Sequence, residues 1–186
     1  MREEYWYYSF WLVVVGSWIV GFAYGKWLGG YGGLFSELGR AISVPLPGRL
    51  ELWQPILYFT LTPVAAFVLS QLFFGAGAAF FLFARGVYDS GLITILETAI
   101  SNWRLTSITS AELWSFFFIM IILVVNLPLS LWAAQLGTQR SVRMLYRLRG
   151  RPTKPAAGPE LISSLIIIVT LSLVAGLTAT FAISSA

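Results

Sequence analysis

The side chains able to do chemistry are few, and they stand in apolar surroundings. Arg85, Asp89 and Glu97 lie four and eight residues apart in a run that is otherwise apolar or small, from Ala78 to Ile100. At 3.6 residues per turn they share one helical stripe with Ile93. A fourth polar group, Asn126, interrupts a second apolar run, Leu113 to Gly137. In a bilayer each mid-depth ionisable group costs about 2.5–3.5 kcal/mol, so this stripe must face protein or water rather than lipid. Three arrangements satisfy that demand. In the first, a buried Arg85–Asp89 pair pins a helix bundle while Glu97 reaches the outer interface. In the second, Arg85, Asp89, Glu97 and Asn126 line a polar path or ion site. In the third, the stripe meets a charged transmembrane residue of another subunit. An acid–base or metal site is disfavoured, because eight helical steps put the Asp89 and Glu97 carboxylates about 12 Å apart.

Composition points away from catalysis as well. The 186 residues include no cysteine and no histidine. That excludes thiolate or imidazole zinc sites, haem or iron–sulfur ligation by those residues, cysteine nucleophiles and serine–histidine triads. We therefore expect no catalytic residues, no metal and no cofactor. Hydrophobic residues make up 58% and charged residues 11%, against roughly 45–50% and about 25% in soluble domains. So little charge does not cover a water-facing surface, and the expectation is a polytopic, all-α transmembrane bundle forming a single integral membrane domain over residues 1–186.

Five spans position the polar groups. By length and breaker residues they fall at about 7–26, 55–73, 78–100, 113–137 and 161–182. The first has Tyr5 to Tyr8 at one end and Trp27 and Tyr31 at the other, as interfacial belts; it is too long, and its head too acidic, for a cleaved signal peptide. Pro63 falls inside the second span, and Gly75-Ala76-Gly77 marks the turn into the third. Thr109 and Glu112 form a capping box ahead of the fourth, which Asn126 and Pro128 interrupt, and Pro159-Glu160 suits the start of the fifth. Between the first two spans, Leu34, Phe35, Leu38, Ala41 and Ile42 have the spacing of a short interfacial helix.

Net charge is +4, but six of the twelve positive residues, Arg140, Arg143, Arg147, Arg149, Arg151 and Lys154, occupy one loop, 138–158, that has no acid. The positive-inside rule makes this loop cytoplasmic; counting five spans then puts the N-terminus inside and the C-terminus outside, whereas a re-entrant 78–100 would change that count. So local a basic cluster is not a nucleic-acid footprint. It is topogenic charge, or a site for anionic headgroups or for acidic patches on a cytoplasmic partner.

Small residues recur every four positions on three spans: Ser17, Gly21, Gly25 and Gly29; Gly86, Ser90, Thr94 and Thr98; Ser172, Gly176, Thr180 and Ser184. Close packing through small residues drives helix association in lipid, so these stripes predict three helices packed tightly in one bundle, with a homodimer through the first span as the alternative. Trp11, Trp18 and Phe22 are expected off the first stripe.

The order of features resembles the stage II sporulation protein M family over most of the chain. The residues carrying this resemblance are a glycine-rich first span, Trp11 to Gly25; Phe73-Phe74-Gly75-Ala76-Gly77 before a run that ends in Arg85-Gly86, then Gly91; Asn126-Leu127-Pro128; Gln139-Arg140-Ser141-Val142-Arg143; and a last apolar span. The family often has an acid where Asn126 stands and an asparagine where Arg85 stands, so no site residue is carried over. The resemblance implies a non-enzymatic membrane subunit. Such proteins hold partners of a peptidoglycan-remodelling complex in sporulating bacteria; elsewhere, relatives occur beside ATPases and look like permease subunits. The expected function is thus an anchor or scaffold that binds other membrane or cytoplasmic subunits, with a permease subunit served by a separate ATPase as the alternative.

Overall fold

The computed structural model describes residues 2–27, 53–101, 110–150 and 158–184. The proposed interfacial helix, Gly29, Thr109, Arg151 and Lys154 lie outside them. Helix α1 is Arg2–Trp27 and α2 is Gln54–Gln71. A 3₁₀ turn, Leu72–Gly75, leads directly into α3, Ala76–Ser101. Helix α4, Ser110–Ile121, passes through a π-helical segment, Ile122–Asn126, into α5, Leu127–Leu148; α6 is Gly158–Ser184. No strand occurs among the described residues, and the architecture is an all-α bundle.

Local chemistry sets these boundaries. Pro55 sits at the start of α2, where its missing N–H costs nothing. The reversal into α3 turns on Gly75, whose φ of 102° suits only a residue without Cβ. At Asn126-Leu127-Pro128 the helix continues through one wide turn, with the Leu127 N–H bonded to the Ile122 carbonyl five residues back. This accommodates the donor that Pro128 lacks without ending the rod.

One boundary departs from the sequence reading. The helix does not end with the fourth span at Gly137; α5 runs on to Leu148. Arg140, Arg143 and Arg147 are therefore helical, not part of a loop. Gly137 is tolerated because it is buried against α2, where a Cβ would collide with the Ser70 hydroxyl and the Phe67 carbonyl. No breaker follows until Gly150, at φ 67°, whose N–H caps the Arg147 carbonyl at 3.0 Å.

Among the described residues, four helices are long and apolar enough to cross a membrane: Ser9–Trp27, Ala76–Thr98, Phe116–Leu148 and Glu160–Phe181. Their length and composition are compatible with an integral membrane protein. The fifth apolar helix, Pro55–Gln71, is shorter, about 25 Å at 1.5 Å per residue. It packs against α3, α5 and α6, while α1 packs chiefly on α3. Contacts at both ends fix the helix directions. Trp18 meets Gly86 and Lys26 meets Glu97, so α1 and α3 run parallel. Ser141 and Thr138 meet Gln71 and Gly75, so the arginine-bearing end of α5 lies beside the α2–α3 turn.

Candidate functional site

The small-residue stripes bring α1 and α3 close enough for the polar groups between them to touch. A Cβ added at Gly21 would collide with the Phe83 carbonyl, one at Gly86 with the Trp18 carbonyl, and one at Gly25 with the Ser90 hydroxyl. Ser17 lies on the same helix, its hydroxyl turned back to the Val13 carbonyl at 2.7 Å; Thr94 and Thr98 likewise bond the carbonyls of Ser90 and Thr94. The third stripe does not join this seam. Gly176 is packed against Ile56 and Phe59 of α2, and Ser172 is fully buried on the same helix.

Against the α1–α3 seam, at the middle of the bundle, lies a closed polar network. Arg85 Nε donates to Asp89 Oδ1 at 2.8 Å, and Trp18 Nε1 donates to Asp89 Oδ2 at 2.9 Å. Arg85 Nη1 donates to Asn126 Oδ1 at 2.9 Å, and Asn126 Nδ2 donates to the Phe59 carbonyl at 3.2 Å. The guanidinium also stands 5.4 Å from the centre of the Tyr58 ring, within cation–π range. Arg85 is 3% exposed; Asp89 and Asn126 are fully buried. The network ties α1, α2, α3 and the π segment together, and its formal charges cancel. Two of its polar atoms, Arg85 Nη2 and Tyr58 Oη, are buried without a hydrogen-bond partner.

The backbone explains why Phe59 is part of it. Pro63, four residues further along α2, has no N–H to give the Phe59 carbonyl, and the Asn126 amide fills that place. At its own backbone, the Asn126 carbonyl accepts the Ser130 hydroxyl at 2.8 Å.

Glu97 is not part of this site. It pairs with Lys26 at the far end of α1, with side chains 60% and 33% exposed. Two turns beyond Asp89, α3 has left the bundle centre, so the shared stripe does not become a shared site. Trp18 corrects the sequence reading in the other direction. Expected away from the packing stripe, it is the i−3 neighbour of Gly21 and supplies the second donor to Asp89. Tyr58 and the Phe59 carbonyl were also not anticipated. Pro63 was the one available signal, since a mid-helix proline marks the carbonyl four residues before it.

At the arginine-bearing end, Arg140, Met144, Arg147, Leu148 and Arg149 are exposed, while Ser141 is buried and donates to the Gln71 carbonyl at 3.0 Å. Among the described residues no three acidic side chains gather as a metal site would require. No protein-family model matches the chain, and no curated protein or solved structure does so.

Proposed function

We propose that this protein is a non-enzymatic integral membrane subunit that anchors or scaffolds a larger complex. The observation that supports this reading is the closure of the mid-membrane network. Arg85, Asp89 and Asn126 are buried and joined to Trp18 and Phe59, which suits a device that fixes four helical segments in one arrangement better than a hydrated path. A fixed bundle presents two things outward: an apolar belt for lipid or other spans, and a basic end, described from Arg140 to Arg149 and followed in sequence by Arg151 and Lys154, for acidic surfaces of cytoplasmic partners. On this reading the basic end is cytoplasmic, the N-terminus is inside and the C-terminus outside. The stage II sporulation protein M resemblance, carried by the glycine, proline and arginine motifs of the chain, agrees with such a role. Purification of the full chain from native membranes in a mild detergent tests it. Stoichiometric co-purifying subunits are the expected result; a lone monomer under every mild condition overturns the proposal.

A permease subunit is the second reading. Two observations favour it: the π-helical turn at Asn126, a feature frequent at functional sites, and the unspent hydrogen-bonding capacity of Arg85 Nη2 and Tyr58 Oη. Solute flux in proteoliposomes that is abolished by Asp89→Asn supports this reading over the first.

A further inference from the structure

The exposed stripe at the end of α5 has a composition that neither water nor a hydrocarbon phase suits alone. Arg140, Met144, Arg147 and Leu148 recur at i, i+4, i+7 and i+8 and so share one face, and all four are exposed, Met144 at 65% and Leu148 at 80%. No acidic residue occurs between Asn126 and Pro159. The level of this stripe along the bundle is fixed by two contacts: Ser141 hydrogen-bonds the Gln71 carbonyl, and Thr138 lies against Gly75. Both partners belong to the reversal between the apolar helices α2 and α3, and hydrocarbon cannot satisfy the open backbone groups of such a reversal, which places it at the membrane boundary. The stripe begins at that boundary and extends about 12 Å, a little over two turns, beyond it. Arginines with no acid among them at that depth match the headgroup layer of an anionic lipid leaflet.

We propose that the Arg140–Leu148 face of α5 is a docking surface for anionic phospholipid headgroups, with Arg140, Arg143 and Arg147 on the phosphates. The α5 helix thereby locks the bundle to one leaflet. This divides the basic end named in the scaffold reading: the helical Arg140, Arg143 and Arg147 go to lipid, and Arg149, Arg151 and Lys154, which follow them in sequence, are left to cytoplasmic partners.

The test is electron paramagnetic resonance on the full chain reconstituted in phosphatidylcholine vesicles carrying spin-labelled phosphatidylglycerol or spin-labelled phosphatidylcholine as probe. The expected result is a motionally restricted population that prefers phosphatidylglycerol, by roughly five-fold for one fully engaged arginine at low salt, and that weakens as salt is raised. Arg140→Gln with Arg143→Gln and Arg147→Gln lowers that preference towards unity, whereas Arg151→Gln with Lys154→Gln leaves most of it. Met144→Ser with Leu148→Ser leaves the preference and its salt dependence in place, since those side chains stand outward of the first arginine. Equal restriction of the two probes by the wild-type chain overturns the proposal, and needs no variant to fold. So does a preference that survives the triple substitution, or one that is lost only with Arg151 and Lys154. Co-purifying subunits released by the triple substitution, with the lipid preference unchanged, assign the same face to protein instead and equally overturn it.

Discussion

Helix α3 carries two ion pairs that began as one motif in the sequence and differ in every physical respect. Arg85–Asp89 lies within one helix at the bundle centre, buried, and is extended by Trp18, Asn126 and the Phe59 carbonyl. Lys26–Glu97 joins two helices at their far ends, with the Glu97 side chain 60% exposed. The first pair has replaced water with protein on nearly every polar atom; the second retains water as an alternative partner. Their difference teaches that helical register says which residues share a stripe, and depth says what sharing it is worth.

The largest effect should come from breaking the central pair on one side only. Asp89→Leu leaves the Arg85 guanidinium and the Trp18 indole N–H without their acceptor, and loss of one partner of a buried pair costs about 3–5 kcal/mol. Unfolding in a fixed lipid–detergent mixture measures it. The sharper version is the double variant Arg85→Leu with Asp89→Leu, which removes both charges and should be more stable than either single variant. If the two losses simply add, the pair is not acting as one unit.

Next come the glycines that let this pair meet the Trp18 indole. Gly86→Ala sets a Cβ against the Trp18 carbonyl and the Phe22 amide nitrogen, both backbone atoms, so α1 must move away. The expected loss is about 1–3 kcal/mol, with the Trp18–Asp89 hydrogen bond lengthened and tryptophan fluorescence shifted. Gly91, five residues further on, has nothing within 4 Å of an added Cβ. Gly91→Ala should therefore be neutral or stabilising by up to about 1 kcal/mol through helix propensity alone. A similar loss at both positions would mean that the seam is not set by contact.

A third test separates the amide from the charges. Asn126→Leu strands the Phe59 carbonyl and Arg85 Nη1, with an expected cost of about 1–2 kcal/mol, in line with interhelical hydrogen bonds in membranes. Pro63→Ala, by restoring an N–H four residues after Phe59, gives that carbonyl an intrahelical partner. Combined with Asn126→Leu it should recover part of the loss. Failure to recover any of it would place the cost wholly on Arg85.

How much of this could be read from the chain follows the same division between register and depth. The all-α class and the places where apolar helices start and turn were legible, because apolar length and the breakers Pro55, Gly75 and Pro159 are local signals. The Arg85–Asp89 pairing was available as one of three arrangements from its four-residue spacing. The separation of Glu97 was not fixed by spacing, since which helix stands opposite a given turn is a tertiary fact. The extension of α5 past Gly137 was missed because hydropathy marks where a helix leaves lipid, not where it ends. Nothing at Ser141 to Leu148 opposes helix, and a glycine buried against α2 does not terminate it. Trp18 was misplaced by reading the small residues as a stripe of their own, although a tryptophan three residues before Gly21 shares its face.

The smallest effect is expected at the outer pair, and it is the measurement on which the comparison depends most. Glu97→Gln removes the charge and keeps the shape, and the amide still accepts a hydrogen bond from Lys26. Exposed pairs contribute about 0–1 kcal/mol, and salt screens that remainder at separations a Debye length of about 8 Å already limits at physiological ionic strength. The variant should fall within about 1 kcal/mol of the parent, with a difference that shrinks as salt is added, while the Asp89→Leu loss keeps its size. A large, salt-independent loss at Glu97 would mean that water does not reach the Lys26 ammonium. The far end of α1 and α3 would then be covered in the assembled protein, and the contrast between the two pairs would be one of partner rather than depth.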